Sequence, residues 1–389
     1  MQTPPAMTPT ATSSSAAPGG SRQCIDAGEG AAPLRLRAEW DGSEVVAARV
    51  EARPEAIGPR LCGLSSAEAA ARLVDIAGDS PRAHATALRL ACAAAAGEPP
   101  PAHDERLATE RELAAELVAE HLGRLLLDWP PVFGEDARPQ RNAEFHHRLL
   151  RPGQTQEALY ALGGEILDLV ARELLTGFFR RIRPPHTLAE FIACAEEGGI
   201  LGSVLAALLA LGKAHPPVGG ALPLLEPAAV AEWTRSGSAP LPHAAETGAL
   251  ARHRHSPLIR ILHVKGHLIS ARLMASMLDV ADGATRMRHP LFDALPALAQ
   301  AGSPASGVGR ASVDSAHGIL LYSVTLRDGL IAACDVIRPE DWNFADDGPF
   351  LREAHVWPAS ARETALQRLH ALTLALAPGV PYLVELVGR

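Results

Sequence analysis

Cys62 is the residue of this sequence whose type and setting come nearest to metal-binding or nucleophilic chemistry. It lies in the run Arg60-Leu61-Cys62-Gly63-Leu64-Ser65, directly before a predicted helix. The amides at a helix start and a nearby guanidinium both favour the thiolate, which is the form that binds soft metals. A lone cysteine is also typical of a half-buried residue without a chemical task, so the pattern leaves both interpretations open.

A second candidate is the pair His263 and His267, in the run His-Val-Lys-Gly-His. This spacing places two side chains on one helix face, but the zinc-protease motif also requires Glu after the first histidine, where this chain has Val264. Gly266 disfavours a rigid helix here. We interpret the pair as a solvated basic helix start, and the upstream basic run 252–255 as surface charge. A metal-dependent hydrolase that uses both histidines stays as an alternative.

Composition and the remaining motifs exclude several classes. The 389 residues carry a net charge of -8, which argues against nucleic-acid binding, and no run of about 18 uncharged apolar residues predicts a membrane span. The five cysteines form no CxxC pair, which disfavours disulfides and zinc ribbons and favours a cytoplasmic location. The GxSxG, Walker A, GxGxxG and HxE…CxxC motifs are all missing from the sequence, so the enzyme classes that they mark are not indicated.

The patterning predicts which elements position these residues. Residues 1–32 are rich in Pro, Thr, Ser, Ala and Gly and are predicted to form a disordered tail, whereas 33–389 are expected to form one domain. Alternation predicts β-hairpins at 34–50 and 318–337 and a last strand at 380–387. Helical periodicity predicts helices at about 65–76, 81–96, 104–127, 154–180, 187 onward, 199–211, 257–281, after Pro290, and 360–376, with 214–257 as a long connection. The expected fold is α+β and mainly helical: a central helical bundle with small hairpin sheets from both ends.

Segments at the two ends of the chain resemble the large subunit of nickel-iron hydrogenases. Residues Arg60–Ala69 are similar to the family's Arg-x-Cys-Gly-x-Cys-x-x-x-His. Gly307–Gly309 and Asp314–Gly318 are similar to its Gly-x-Gly and Glu-Ala-Pro-Arg-Gly, and Pro339–Asn343 and Gly348–Phe350 to its Pro-Thr-Thr-Trp-Asn and Gly-Pro-Tyr. The resemblance implies the large-subunit fold.

The departures from the family pattern bear on chemistry. In that family, two cysteines of the first motif and two of a C-terminal Asp-Pro-Cys-x-x-Cys-x-x-His hold nickel and iron. Here only Cys62 is kept, and other residues stand at the remaining thiolate and histidine positions: Ser65, Ala69, Gly379, Tyr382 and Glu385. His317 stands where the family has its pocket arginine. One thiolate cannot hold the bimetallic centre, so the resemblance implies a chain that binds no nickel and does not oxidise hydrogen.

A large-subunit-like chain without the nickel ligands resembles the HupK/HoxV-type hydrogenase expression and formation proteins. That resemblance implies an assembly scaffold without catalytic residues, which works with a HypC-type maturation chaperone and the hydrogenase large subunit precursor. It also implies a transient iron-cyanide-carbonyl intermediate, for which Cys62 is the candidate iron ligand. The candidate lining residues are Arg60, Ser65, His317 and Asn343. A metal-free structural subunit that pairs with a hydrogenase small subunit is the other alternative.

Overall fold

The structure is a computed structural model that describes residues 33–212, 222–225, 227–236, 241–242, 244–290, 296–354 and 357–388. The helices are α1 (Ser66–Ile76), α2 (Pro81–Ala96), α3 (His103–Gly123), α4 (Trp129–Val132), α5 (Pro139–Leu149), α6 (Gln156–Leu169), α7 (Thr176–Phe179), α8 (Leu188–Glu196), α9 (Ile200–Ala210), α10 (Pro227–Arg235), α11 (Ala249–His253), α12 (Pro257–Val264), α13 (Leu268–Arg288), α14 (Pro339–Asn343), α15 (Pro349–Ala354) and α16 (Arg362–Ala375). The strands are β1 (Leu34–Trp40), β2 (Glu44–Ala52), β3 (Ala299–Ala305), β4 (Val308–Asp314), β5 (Ile319–Arg327), β6 (Leu330–Ile337), β7 (Trp357–Pro358) and β8 (Tyr382–Gly388).

The first sheet joins the two ends of the described chain in the order β7-β2-β1-β8. The β1–β2 hairpin is antiparallel, as predicted, and its turn is held by the Asp41 carboxylate, which accepts hydrogen bonds from the amides of Ser43 and Glu44. Strand β8 pairs in parallel with β1, so that Leu36 lies opposite Val384. This pairing fixes the C-terminal strand against the N-terminal hairpin.

The second sheet is an antiparallel meander in the order β3-β4-β5-β6. The β5–β6 hairpin is confirmed, with Asp328 (φ 53°) and Gly329 (φ 76°) supplying the left-handed turn. Helix α2 packs against this sheet so closely that a Cβ at Gly309 would lie 1.9 Å from the carbonyl oxygen of Ala91. Only glycine permits that approach.

The central helices differ from the predictions at their ends. The segment predicted as one helix over 257–281 forms α12 and α13, because Gly266 adopts a left-handed conformation (φ +80°) between them. The connection predicted over 214–257 contains α10 and α11. The helix predicted to stop before Pro130 continues through a π-helical turn, Arg124–Asp128, into α4, where both prolines sit in the first turn and no amide is required.

Strands β3 and β4 were missed. Part of the helix predicted after Pro290 falls on 291–295, which lie outside the described residues, and Ala299–Ala305 is a strand rather than a helix. The fold as a whole is α+β and mainly helical with two small sheets, as predicted. Within the described ranges, no helix combines the length and the apolar character that crossing a membrane requires.

Candidate functional site

A small polar pocket lies around His317, where the loop before α2, helix α3, the turn after β4 and the loop after α16 meet. Its free volume is about 10 Å³, which leaves room for no more than about one water molecule. The lining includes Asp79, Ser80, His84, Glu340 and Gly379. The structure thus brings His317 and Gly379 together, as the large-subunit resemblance implies.

His317 is buried, with 4% of its surface exposed, and both ring nitrogens face oxygen atoms. Nδ1 lies 3.0 Å from the carbonyl oxygen of Ala377, which can only accept, so Nδ1 carries a proton. Nε2 lies 3.3 Å from the nearer carboxylate oxygen of Glu120 and 4.0 Å from that of Asp79. Burial opposes a charge on His317, but the Glu120 carboxylate outweighs that effect and raises the pKa of His317. A buried imidazole and a buried carboxylate therefore lie side by side, and the raised pKa favours the charged form of the ring.

Glu120 and Glu116 stand one turn apart on α3 and bind the start of α2. Glu120 accepts hydrogen bonds from the amide and hydroxyl of Ser80 at 2.6 and 2.7 Å. Glu116 accepts from the amides of Arg82 and Ala83 at 2.7 and 2.8 Å. The two carboxylates thus satisfy free amides at a helix N-terminus, where negative charge is favourable.

The two carboxylates have opposite pKa shifts. Burial would raise the pKa of Glu120, but the charge of His317 and the hydrogen bonds from Ser80 lower it. Burial, with the charge of Glu120 adding to it, raises the pKa of Glu116 to about 8. The raised pKa favours the protonated form of Glu116, whereas the lowered pKa favours the charged form of Glu120.

Gly379 stands at a position where the resemblance places a nickel-binding cysteine, and the structure leaves no space for a side chain there. A Cβ at Gly379 would lie 2.8 Å from Cδ2 of His317 and 3.1 Å from a carboxylate oxygen of Glu340. The Gly379 amide also donates a hydrogen bond to Glu340. The imidazole of His317 fills the space that a thiolate would need.

Ser80 and His84 were missed as pocket residues. They repeat the spacing of the second cysteine and the histidine in the Arg-x-Cys-Gly-x-Cys-x-x-x-His motif, and both line the pocket. His84 Nδ1 lies 2.8 Å from the hydroxyl of Tyr322. Burial lowers the pKa of His84 to about 3, so the ring is neutral.

Cys62, Arg60 and Ser65 lie elsewhere, outside the lining of this pocket. Cys62 follows the 3-10 turn Gly58–Leu61, and its side chain is exposed, as is that of Arg60. Ser65 caps α1, and the Glu68 carboxylate accepts from the amide and hydroxyl of Ser65. This loop is hydrogen-bonded to the start of β6 through the backbone of Ile331. The assignment of these three residues to an iron site stays a prediction.

Asn343 is buried and its side-chain amide joins separate segments. Its Nδ2 donates to the carbonyl oxygens of Thr247 and Leu376 at 3.1 and 3.2 Å, and its Oδ1 accepts from the Thr247 amide. These bonds hold the chain before α11 and the end of α16 together. In this structure the contacts of Asn343 are therefore structural, and a role for it toward a cofactor stays a prediction.

The histidine candidates do not form a metal-binding face. His263 is exposed at the end of α12, whereas His267 is buried and caps α13, so the two residues belong to different helices. The interpretation as a solvated helix start was wrong, because Gly266 ends the first helix. Across the part of the chain that the structure describes, no group of three or more His, Cys, Asp or Glu is arranged to hold a metal ion.

The prediction of surface charge for the upstream basic run 252–255 was wrong for Arg252 and His253, whereas His255 is exposed. Arg252 and His253 keep only 17% and 12% of their side-chain surface exposed. Arg252 donates to Asp279 and Asp314, and His253 Nε2 lies 2.7 Å from Asp279. The two residues thus belong to a buried ionic network that ties α11 to α13 and β4.

Comparisons with known proteins agree with this structural picture. No protein-family model matches the sequence. The chain is 28% identical over 300 residues to the hydrogenase expression/formation protein HupK of Rhizobium leguminosarum bv. viciae, which covers 72% of this chain and 76% of that protein. Over 82 residues it is 37% identical to the hydrogenase expression/formation protein HupV of Azotobacter chroococcum mcd 1, covering 21% of this chain and 24% of that protein.

Solved structures show the fold. The Ni-Fe-Se hydrogenase of Desulfomicrobium baculatum, in a reduced, active form, superposes with a TM-score of 0.57 at 14% identity, covering 88% of this chain and 96% of that one. An NAD+-reducing [NiFe]-hydrogenase superposes with a TM-score of 0.56 at 14% identity, covering 87% and 93% of the two chains. The chain is therefore a sequence relative of HupK-type expression/formation proteins and has the fold of the nickel-iron hydrogenase large subunit.

Proposed function

We propose that this protein is a hydrogenase maturation factor: a large-subunit-like scaffold, not an enzyme, that assists assembly of the iron-cyanide-carbonyl part of the nickel-iron cofactor. The observation that carries the proposal is the pocket around His317, whose free volume is only about 10 Å³. The sequence similarity to hydrogenase expression/formation proteins also supports the proposal.

The pocket argues against catalysis in three ways. Its free volume of about 10 Å³ cannot take a bimetallic centre with diatomic ligands. None of the described residues that line it carries a thiol. The buried pair of His317 and Glu120 occupies a place where the large-subunit resemblance has a metal. No nickel chemistry is therefore proposed.

The iron unit is the cargo of the proposed scaffold, and Cys62 is its proposed contact. Cys62 is exposed, whereas Cys92, Cys194 and Cys334 are buried. A surface thiol offers one soft ligand and leaves the other coordination positions to a partner. The partners that we propose are a HypC-type maturation chaperone and the hydrogenase large subunit precursor. The four described cysteines are free thiols, which suits a proposed cytoplasmic location.

Infrared spectroscopy of the protein purified without oxygen tests the proposal. We expect metal-bound cyanide and carbonyl stretches, and a copurifying HypC-type chaperone, for the wild type. The bands should disappear in Cys62→Ala and persist in Cys194→Ala, which removes a buried thiol instead. No bands in any sample and no chaperone would contradict the scaffold role, while unchanged bands in Cys62→Ala would reject only Cys62 as the ligand.

A metal-free structural subunit is the second candidate, because a pocket with almost no free volume suits a protein that holds no metal at all. This candidate requires pairing with a hydrogenase small subunit. Copurification with the small subunit, in place of a chaperone and without infrared bands, would favour it over the maturation role.

A further inference from the structure

The side of α12 that is turned away from the core carries three basic side chains. Ile259 and Leu262 are buried, whereas Arg260, His263 and Lys265 are exposed. Helix α12 packs against α13 and α8 with its buried side, so the basic side lies at the surface of the described chain. This basic face of α12 is not part of the small polar pocket described above.

The three basic side chains have no partner in the protein. Within the described residues, none of them makes a hydrogen bond, an ion pair or a ring contact. One reason lies in the sequence, because residues 247–278 contain no Asp or Glu. The neighbouring α8 ends at Glu196, which is exposed and forms no ion pair with α12. The positive charges of Arg260 and Lys265 are therefore available to another molecule.

Several exposed arginines elsewhere are paired with carboxylates of the same chain. Arg89 lies 3.0 Å from Glu105, and Arg148 lies 2.6 Å from Glu165. A carboxylate at this distance offsets the charge of the arginine. The basic face of α12 differs from these sites, because folding brings no described carboxylate to it.

The helix dipole explains only part of this arrangement. Cations near a helix C-terminus interact favourably with the last carbonyl groups, and His263 and Lys265 are placed to do so. Arg260 lies in the first half of α12, before the last turn, to which this interaction is confined. Val264, one turn after Arg260, has 76% of its surface exposed. An apolar residue with charged residues around it has the arrangement of an apolar centre and a polar rim at a protein interface.

The charge of the whole chain favours a protein as the partner. The net charge is -8, so the chain repels the extended negative surfaces of nucleic acids and anionic membranes. A short acidic segment of a protein requires only the local positive charge of α12. A second copy of this chain carries the same net charge and is repelled as well.

We propose that the basic face of α12 binds an acidic segment of a partner protein. Carboxylates of that segment pair with Arg260 and Lys265, and an apolar side chain of the segment packs on Val264. Electrostatic complementarity of this kind speeds association and selects the partner. This inference does not depend on the maturation role.

Fluorescence anisotropy with the full-length protein measures the preference for acidic segments. The probe is a fluorescein-labelled Glu-Asp-Leu-Glu-Asp peptide, and the comparison peptide is Lys-Lys-Leu-Lys-Lys. We expect the acidic probe to bind about tenfold more tightly, and we expect this preference to shrink as the salt concentration is raised. Arg260→Gln with Lys265→Gln should weaken binding of the acidic probe about tenfold.

A matched double variant controls for the overall charge. Arg89→Gln with Arg148→Gln also removes two positive charges, but from residues that already have carboxylate partners. It should change the affinity for the acidic probe by less than about twofold. Circular dichroism verifies that both double variants are folded.

Zero-length cross-linking locates the contact, because Lys213 and Lys265 are the only lysines of the chain. A carbodiimide activates the carboxylates of the probe, and the lysine amine displaces the activating group as a urea to form an amide. In a Lys213→Arg variant, mass spectrometry should find the probe on Lys265.

Several results would overturn the proposal. They are equal affinity for the acidic and basic peptides, equal losses in the two double variants, and no probe on Lys265. A dimer that dissociates in the α12 double variant would show that a second copy covers this face. Binding to phosphatidylserine vesicles that is tighter than binding to the acidic probe, and that the same variant abolishes, would show that a membrane does.

Discussion

The large-subunit resemblance assigns the pocket around His317 and the loop of Cys62 to one metal site. In the structure the two regions differ in burial, in hydrogen bonding and in free volume. The pocket is buried, is rich in hydrogen bonds and has almost no free space. The loop is exposed and carries the one accessible thiol among the four described cysteines. The difference teaches that charged and polar side chains hold together the part of the fold where the resemblance places metal and thiolates.

Among the variants of these two regions, the removal of Glu120 should have the largest effect on stability. Glu120→Ala leaves the His317 imidazole and the Ser80 amide and hydroxyl buried without their partner. We expect the free energy of unfolding to fall by about 3–5 kcal/mol. Denaturant unfolding measures this loss.

The exposed ion pair between Glu51 and Arg49 serves as the control for Glu120. Glu51→Ala should cost less than about 1 kcal/mol. If Glu120→Ala and Glu51→Ala lower the free energy of unfolding by the same amount, the buried contacts of Glu120 do not stabilise the fold more than a surface ion pair does.

A side chain at Gly379 tests whether the pocket has room for one. The Cβ of Gly379→Ala would meet the buried ring of His317 at 2.8 Å, so we expect a loss of about 1–3 kcal/mol in the free energy of unfolding. Gly388→Ala is the matched control, because a Cβ there meets nothing within 4 Å. In a His317→Ala background, Gly379→Ala should cost less than it does in the wild type, because the ring that its Cβ meets is gone. A wild-type-like Gly379→Ala would show that the pocket has room.

The pH dependence of stability tests the charge on His317. Because its pKa is raised in the folded state, its contribution is full below the unfolded value of about 6.5 and is lost as the pH rises through the raised pKa. One proton gives a slope of at most about 1.4 kcal/mol per pH unit. Glu120, whose pKa is lowered, acts in the opposite sense, since its contribution is lost only as the pH falls below about 4.5.

A comparison of the wild type with His317→Gln isolates the contribution of the His317 imidazole to the pH dependence of stability. Glu116, with a pKa of about 8, releases a proton in the same range, so the quantity to follow is the difference between wild type and variant. We expect this difference in unfolding free energy to shrink between pH 6 and pH 9. A difference that stays constant over that range would show that the ring is neutral in the folded protein.

Local rules predicted much of the fold but not its irregular strands. The capping box of Ser65 and Glu68 and the start of α2 at Ser80-Pro81 are local signals and were read correctly. Strand β3 lacks such a signal, because Ala-Gln-Ala-Gly-Ser-Pro-Ala has small residues and no apolar alternation. Its strand conformation depends on β4 and on the helices packed over it, which are contacts distant in sequence.

The site was predicted only in part, because its chemistry depends on buried charges from distant segments. His317 and Gly379 were placed by their position in motifs, and the structure brings them together. Glu116 and Glu120 lie on the same face of α3 as Leu113 and Leu117, and two acids on an apolar face were a signal of burial that went unused. Arg252 looked like surface charge because its partners, Asp279 and Asp314, are 27 and 62 residues away in sequence.

Thiol labelling tests the difference in accessibility between Cys62 and the buried cysteines, for which we expect the smallest effect on stability. In a Cys24→Ser background, chosen because Cys24 lies outside the described residues, Cys62 should react with maleimide in the native protein while Cys92 and Cys334 stay protected. Burial raises the pKa of Cys92 to about 11 and of Cys334 to about 12, so both are protonated and inaccessible. Cys62→Ser should change the free energy of unfolding by less than about 0.5 kcal/mol and abolish native labelling, as mass spectrometry can verify. If Cys334 labelled as fast as Cys62, the sheet over it would open readily, and accessibility would no longer single out Cys62 as the thiol that a partner or an iron cargo meets first.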